Sequence, residues 1–256
     1  MADNISEKVR RYFRQQEEQY GKVIYLDNFK EITSPAAPPA ESSVEKAIHS
    51  ETRQISMKRH SVEDSWESAE SLDVLENKIN GCLECPLGKS RTKFVFGTGN
   101  PNADILLIGE APGRDEDLQG EPFVGRAGQL LTKILQAINF EREDVYIANI
   151  LKCRPPNNRR PEKNEVETCE PYLQKQIELI DPQFILALGL TAIDSLLKKK
   201  HRMGDIRGSI MDYRGRKMMV TYHPAALLRN PQWKKKTWED VQKLRKMYDE
   251  YKANKD

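Results

Sequence analysis

Four short apolar runs, separated by amphipathic segments, organise the chain from about residue 100 onward. The runs ILLI, VYIANI, FILAL and MMVTY occupy residues 105–108, 145–150, 184–188 and 218–222. Uninterrupted apolar runs of this length are typical of strands that are buried on both faces of a parallel sheet. The pattern therefore predicts a four-stranded parallel sheet.

Helical periodicity fills the intervals between these runs. Apolar residues at positions 127, 130, 131, 134, 135 and 138 keep the i, i+3, i+4, i+7 spacing of an amphipathic helix. A second stripe extends from Val166 to Ile180, where Pro171 is expected to kink or restart the helix. Segments 191–200 and 233–251 supply two more helices. Alternating strands and helices imply right-handed crossovers, so we expect a three-layer α/β/α domain.

The first 66 residues have a different character. Residues 31–64 are rich in Pro, Ser, Ala and charged side chains and show no sustained apolar period. Such a composition buries too little apolar surface to offset the entropy cost of ordering. We therefore expect residues 1–66 to be a largely disordered extension and residues 67–256 to be the folded domain. A tether for an unknown protein partner is the alternative for the extension.

Composition narrows the class of protein. The 256 residues include 41 Lys+Arg and 39 Asp+Glu, for a net charge of +2, which by itself does not indicate a nucleic-acid partner. No apolar run approaches the ~20 residues that a membrane-spanning helix needs, and the N-terminus has no apolar signal region. Membrane spans and secretion are thereby excluded, and a cytoplasmic location is expected.

Polar and aromatic residues follow the ends of the predicted strands, where open parallel sheets bind ligands. Glu110 follows the first run, and Phe123 comes a short loop later. Asn149 ends the second run, and His223 follows the fourth. Each residue alone has a structural explanation, such as a cap, a turn or a core position. Their convergence on one rim predicts a site.

Two further features of this rim suit a phosphate backbone. Gly189 and Thr191 follow the third run and could make only a tight turn and an N-cap, although bare amides at a helix start also bind phosphate. A basic segment that includes Lys152, Arg159 and Arg160 follows Asn149. A charge run is more often a solvated face, but here DNA could run past the pocket.

The four cysteines form a second constellation. Cys82 and Cys85 make a C-x2-C pair before the first strand, and Cys153 and Cys169 follow the second strand. Two pairs so distant in sequence can meet only through the fold. Four thiolates suit either tetrahedral zinc or a four-iron cluster, and the spacing alone favours zinc slightly.

Together these segments resemble a known family. The resemblance rests on the four cysteines and on the segments GEAPGRDEDLQGEPFVGRAGQLL (109–131), ANILKCRPP (148–156), ALG (187–189) and HPAALLR (223–229). On these residues, the chain resembles the iron–sulfur, thermostable-type family four of the uracil-DNA glycosylases. The resemblance covers residues 82 to about 248. It implies hydrolysis of the N-glycosidic bond of deoxyuridine in single- or double-stranded DNA by a monomer. It also implies that a [4Fe–4S] cluster, rather than zinc, is held by the cysteines.

The resemblance also implies roles for single residues. Phe123 would stack on the extruded uracil, Asn149 would pair with its polar edge, and Glu116 would lie near C5 to exclude the methyl group of thymine. His223 would face O2, and Glu110 is a candidate for handling water or the sugar cation. The remaining implied residues are Gly109, Ala111 and Gly113 in the base pocket, Leu227 as a wedge in the gap left by the base, and Gly189, Thr191 and Arg229 against DNA.

Two departures from better-known uracil glycosylases bear on the mechanism. Ala111 stands where those enzymes carry a water-activating Asp, and Gly113 stands where they carry a Tyr. A relative that traps DNA covalently has a basic insertion where this chain has only residues 118–121, which disfavours trapping. Two other classes stay open at this point: a redox or damage-sensing DNA-binding protein with an inert pocket, and a nucleotide-binding module with a structural zinc.

Overall fold

A six-stranded mixed sheet is the centre of the computed structural model, which describes residues 65–255. The strands lie in the order β1-β3-β2-β4-β6-β5. Their bounds are β1 Thr98–Gly99, β2 Ile105–Gly109, β3 Tyr146–Asn149, β4 Phe184–Leu188, β5 Ile210–Tyr213 and β6 Arg216–Thr221. The four central strands are parallel and coincide with the four apolar runs, which confirms that part of the prediction.

The two edge strands correct the predicted count of four. β1 and β5 pair antiparallel with β3 and β6 respectively. β1 has only two residues, and β5 is mostly exposed. An edge strand pairs on one side only and faces solvent along the other, so its sequence does not need the apolar run by which central strands are recognised.

Helices cover both faces of the sheet, as the three-layer prediction requires. Ile105 and Leu107 of β2 belong to one core cluster, whereas Leu106 and Ile108 belong to the other, because successive strand residues point to opposite faces. The helices are α1 Leu72–Ile79, α2 Leu87–Ser90, α3 Arg114–Gln119, α4 Arg126–Gln136, α5 Lys163–Ile180, α6 Leu190–Leu197, α7 Met203–Ile206, α8 Pro224–Arg229 and α9 Lys234–Ala253. Residues of α4 and α9 pack in one cluster, and residues of α1, α5 and α6 pack in the other.

Helix α5 runs through Pro171 without a restart, so that part of the expectation is wrong. Pro171 is exposed. The carbonyl four residues earlier, which loses its amide donor, can therefore be hydrated on the solvent side of the helix. Leu173 and Ile177 on the other side remain buried in the core.

The predicted N-terminal extension falls almost entirely outside the described residues. Its last described residues, Ser65 and Trp66, begin a 3-10 turn that spans Trp66–Ser68. The Trp66 ring packs edge-on against Tyr172 of α5, with centroids 4.9 Å apart. The division of the chain at residue 67 stays a prediction. Between residues 65 and 255, no helix has both the length and the apolar character needed to cross a membrane.

Candidate active site

A cavity of about 670 Å³ opens at the carboxyl ends of the four parallel strands. Loops after β2, β3, β4 and β6 all contribute to its wall, as the strand-end pattern predicts. Of the residues predicted for the site, those that line the cavity are Glu110, Ala111, Gly113, Glu116, Phe123, Asn149, Gly189, Thr191, His223 and Arg229. The fold therefore brings together ten side chains or backbone positions that are far apart in sequence.

The floor of the cavity is formed by Asn149 and Phe123, and Gly109 lies against both side chains. Gly109 and Asn149 are paired across β2 and β3. A Cβ on Gly109 would overlap the Asn149 carboxamide and lie 2.6 Å from the Phe123 ring, so only glycine fits there. Asn149 is 2% exposed, and its Oδ1 has no hydrogen-bond partner among the described residues. Because an unpaired buried acceptor costs about 1–3 kcal/mol, this atom marks a place where a ligand donor is accommodated.

Phe123 is held in an unusual backbone conformation. Its φ of 55° lies in the left-handed region, which is costly for an aromatic residue. Arg142 donates to the carbonyls of Phe123 and Pro122, at 3.1 and 2.9 Å. A Cβ on Gly128 would lie 2.7 Å from the Phe123 Cα, so the close approach of α4 also requires a glycine. Arg142 was missed by the sequence analysis, since it lies outside every motif and acts only through the fold.

Glu116 braces the wall of the cavity. Its Oε1 accepts hydrogen bonds from the amides of Val124 and Gly125, and its Oε2 accepts one from the amide of Gly113, all at 3.0 Å. The carboxylate thereby joins the turn after β2 to the loop that carries Phe123. Glu110 is half-buried on the same wall.

His223 presents a neutral imidazole to the cavity. The residue is the N-cap of α8, and its Nδ1 accepts a hydrogen bond from the Ala225 amide at 3.1 Å. This bond leaves the ring proton on Nε2, which is therefore a donor. Burial, together with the smaller effect of the nearby Arg229 cation, lowers the pKa of His223 from 6.5 to about 4. The ring lies 5.5 Å from the Phe123 ring, centroid to centroid.

The outer rim differs in two respects from the sequence-based expectation. Gly189, with a φ of 93°, is the N-cap of α6, and Thr191 lies within the first turn instead of capping it. Leu227 is only 1% exposed and belongs to the core, whereas its neighbour Leu228 is 44% exposed. A side chain that inserts into DNA must be accessible, and in this structure Leu227 is not.

A stacked aromatic pair adds to the rim. The rings of Tyr222 and Trp233 lie 4.6 Å apart at an interplanar angle of 18°, and both residues line the cavity. The sequence analysis placed Trp233 only at the start of the last helix. Trp233 lies shortly after the 223–229 segment but outside it, so the motif did not mark this residue as part of the site.

The four cysteines converge in one region beside this site, and none is in a disulfide. Cys153 and Cys169 are buried in one core cluster, and Cys82 and Cys85 pack against the same cluster. Burial raises the pKa of Cys153, Arg91 lowers it through its hydrogen bond and its charge, and the charges of Cys85 and Cys82 raise it.

Hydrogen-bonding groups surround three of the four sulfurs at 3.3 Å. Arg91 donates to the Cys153 Sγ, the Lys152 amide donates to the Cys169 Sγ, and the Tyr172 hydroxyl contacts the Cys82 Sγ. Donors of this kind suit thiolates that ligate a metal centre. Within residues 65–255, no three His, Cys, Asp or Glu side chains are arranged for a single metal ion. Four thiols gathered in one region are the donor set that a thiolate-bound metal centre requires.

Lys152 belongs neither to a solvated basic face nor to a DNA-facing surface, which were the two alternatives for this basic segment. Its side chain is 0% exposed. Its Nζ donates to the Asn149 carbonyl at 3.0 Å and to the Gln176 Oε1 at 2.5 Å. Burial lowers the pKa of Lys152 to about 8, although the charges of Cys169 and Cys153 act in the opposite direction.

Comparisons with known proteins agree with this geometry. A family model described as the uracil DNA glycosylase superfamily matches residues 96–242. The chain is 46% identical over 183 residues to a type-4 uracil-DNA glycosylase of Archaeoglobus fulgidus, covering 68% of this chain and 92% of the relative. Similar proteins from Saccharolobus solfataricus and Thermotoga maritima, with the same description, are 45% and 43% identical, covering 69% of this chain in both cases and 86% and 94% of the relatives.

Proposed function

The chain belongs to the type-4 group of the uracil-DNA glycosylase superfamily, and from this premise we propose that it removes uracil from DNA by hydrolysing the N-glycosidic bond. The products are free uracil and an abasic site, as in base excision repair. The observation that carries the proposal is the unpaired, buried Oδ1 of Asn149 on the floor of the cavity, beside the Phe123 ring.

Asn149 has the hydrogen-bonding pattern that uracil requires. Its Oδ1 accepts the N3–H proton, and its Nδ2 donates to O4. Cytosine presents the reverse pattern, so it would leave the buried carboxamide unpaired, which is the strong form of substrate discrimination. Phe123 stacks on the base, and Gly109 allows the Phe123 ring and the Asn149 carboxamide to lie side by side on the floor.

Thymine exclusion is assigned to the wall beside C5. The family resemblance implies that Glu116 lies near C5, and its hydrogen bonds to three backbone amides support an indirect role. By fixing the turn after β2 against the Phe123 loop, Glu116 keeps the wall from moving outward to admit a methyl group. Glu116 is thus proposed as a positioning residue for this part of the pocket.

Bond cleavage gives a uracil anion and an oxocarbenium-like sugar. The Nε2–H of neutral His223 donates to O2, where negative charge develops, and such a donor acts mainly in the transition state. The turn that contains Gly109, Ala111 and Gly113 lies along the same side of the base. The Gly113 amide acts there only indirectly, since it donates to Glu116. Glu110 stabilises the sugar cation or orients the attacking water, and replacement by Gln separates the two roles because it removes the charge and keeps the shape.

The DNA must present the base outside the helix. Extrusion costs a few kcal/mol and is least costly for mispaired or single-stranded uracil. The Thr191 amide, in the first turn of α6, and the Arg229 side chain line the cavity where a phosphate backbone would pass. The Gly189 amide is not a free donor, because it donates to the Thr221 carbonyl at 2.9 Å. For the wedge, the exposed Leu228 is a better candidate than the buried Leu227.

Cys82, Cys85, Cys153 and Cys169 are proposed to hold one [4Fe–4S] cluster. When bound, the group supplies a covalent link between the segment before β1 and helix α5, and it takes no part in bond cleavage. Anaerobically purified protein should contain about four iron and four sulfide per chain, as this cluster type requires. Stoichiometric zinc with negligible iron would contradict the assignment. A monomeric state and a cytoplasmic location belong to the same proposal; free thiols suit a reducing compartment, and light scattering measures the oligomeric state.

The decisive experiment is a uracil-release assay. Oligonucleotides with U:G, U:A, single-stranded U and T:G are incubated with the full chain, and the free base and the abasic strand are quantified. We expect release from the three uracil substrates and none from T:G. Binding of uracil DNA without release would favour the DNA-binding sensor, and release from none of them would refute the proposal.

A further inference from the structure

Lys152 lies between the base pocket and the cysteine-bearing helix, and the mechanism described above does not use it. Its fully buried Nζ donates to the carbonyl of Asn149 and to Gln176 on α5. Gln176 is itself fully buried and donates to the Phe96 carbonyl at 3.1 Å. The lysine head group thus has two partners, one on the base-binding residue and one on a fixed helix.

The backbone around Lys152 is fixed in the same way. Its amide donates to the Cys169 Sγ on α5 at 3.3 Å, and its carbonyl accepts from the Val95 amide at 2.9 Å. The two amides between Asn149 and Lys152, at Ile150 and Leu151, donate to the carbonyls of Gly109 and Glu110. Residues 149–152 therefore connect helix α5 to both the uracil-binding carboxamide and the turn that carries Glu110.

A buried lysine is an expensive way to hold a carbonyl. Desolvation of the head group must be offset by its hydrogen bonds, and an apolar residue of similar size often serves as well for stability alone. The Lys152 head group is aimed at the residue whose carboxamide has to meet a planar base. The desolvation cost of Lys152 is therefore better explained by the need to orient the Asn149 carboxamide accurately than by a packing role.

We propose that Lys152 is a positioning residue, which holds the Asn149 carboxamide in register with uracil by anchoring its backbone to helix α5. The proposal rests on the proposed function. It predicts that loss of the Nζ donor affects recognition of uracil rather than DNA binding in general. The His223 donor approaches from α8 and has no contact with Lys152, so bond cleavage should depend less on this lysine than recognition does.

The test uses Lys152→Met, which keeps the length of the side chain and removes the donor. Affinity is measured by fluorescence anisotropy for DNA with cleavage-resistant 2′-fluoro-deoxyuridine and for the same DNA with thymidine. We expect affinity for the uracil analogue to fall by about tenfold or more, because two buried acceptors lose their donor, while affinity for the thymidine DNA stays as in the wild type. The single-turnover rate at saturating enzyme should fall by less than the uracil-selective affinity. Iron per chain should be unchanged, since the contact to Cys169 comes from the backbone.

Two further variants keep the test decisive if Lys152→Met folds poorly. Gln176→Leu removes the anchor of the lysine and should lose part of the uracil-selective affinity, whereas Gln176→Glu keeps an acceptor and should restore it. Lys175→Met is the matched control, because Lys175 lies next to Gln176 on α5 but pairs with Glu178. Wild-type selectivity in Lys152→Met, or equal losses for both DNAs, would overturn the inference. Failure of the wild-type chain to release uracil would instead refute the proposed function.

Discussion

The pH dependence of uracil release can show whether His223 acts on the leaving group as a neutral hydrogen-bond donor or as a charged imidazolium. Burial and the Arg229 cation lower the pKa of His223 from 6.5 to about 4. At pH 5.5 an ordinary histidine is about 90% protonated, whereas a group with a pKa near 4 is only about 3% protonated. The Nε2–H donor should therefore keep its neutral form across the whole range from pH 8 to pH 5.

The perturbation is the removal of this donor at each pH. His223→Ala should lower the single-turnover rate of uracil release by ~10²–10³-fold, the usual effect of losing one preorganised donor to a developing anion. Nonspecific DNA binding should change little. Since the imidazole does not titrate above pH 5, the ratio of wild-type to His223→Ala rates should be constant from pH 5 to pH 8. The ratio cancels every pH effect that is common to both proteins.

The assay is single-turnover release from single-stranded uracil DNA, with enzyme in excess, at half-unit pH steps. His201→Ala is a suitable control, because His201 pairs with Asp194 and does not line the cavity. It should release uracil at the wild-type rate at each pH. A rate ratio that changes with a midpoint near 6.5 would show that the imidazolium takes part, and a ratio near one would show that His223 takes no part.

Three other outcomes are expected. Phe123→Ala should weaken uracil-specific binding by about 1–3 kcal/mol, the contribution of one stacked base, and should slow uracil release. Titration against cleavage-resistant uracil DNA measures the affinity, and an unchanged affinity would show that the base does not stack on Phe123. Leu228→Ala should slow uracil release from duplex DNA more than from single-stranded DNA, and the melting temperature of the protein should not change. Leu227→Ala should lower the free energy of unfolding by about 2–5 kcal/mol in denaturant titration. The reverse result would show that Leu227 is the wedge residue. Deletion of residues 1–64 should leave folding and uracil release intact, and loss of activity in this variant would contradict the expected division of the chain. Deletion of residues 1–66 should lower the melting temperature, because the Trp66–Tyr172 contact is lost.

The pattern of apolar runs was sufficient for the central part of the fold. A strand segment that is buried on both faces is mostly apolar, so β2, β3, β4 and the buried part of β6 are visible in the sequence. The same reasoning placed Glu110, Asn149 and His223 on one rim, since parallel strands end at the same edge of a sheet. The edge strands β1 and β5 were not predicted, because a strand that pairs on one side only and faces solvent on the other does not need an apolar sequence.

The apolar pattern of the sequence could not predict the burial and the contacts of single side chains. Lys152 looks like one more basic residue beside Arg154, and only the packing of α5 against the end of β3 shows that it is buried. Leu227 and Leu228 are identical in type and adjacent in sequence, yet the rotation of α8 buries one and exposes the other. Arg142 supports Phe123 from a separate loop, a contact for which no local spacing exists.

The sequence by itself determined the layer architecture, the strand ends at which chemistry is possible, and the four thiols that must share a site if they act together. The reason is that periodicity and the connection rules of parallel sheets depend on positions along the chain. Only the tertiary structure decided which polar atoms are desolvated and with whom they pair, as in the unpaired Oδ1 of Asn149, the neutral ring of His223 and the buried head group of Lys152. Desolvation depends on all the chain segments that meet at one point, and those segments are set by packing and not by distance along the sequence.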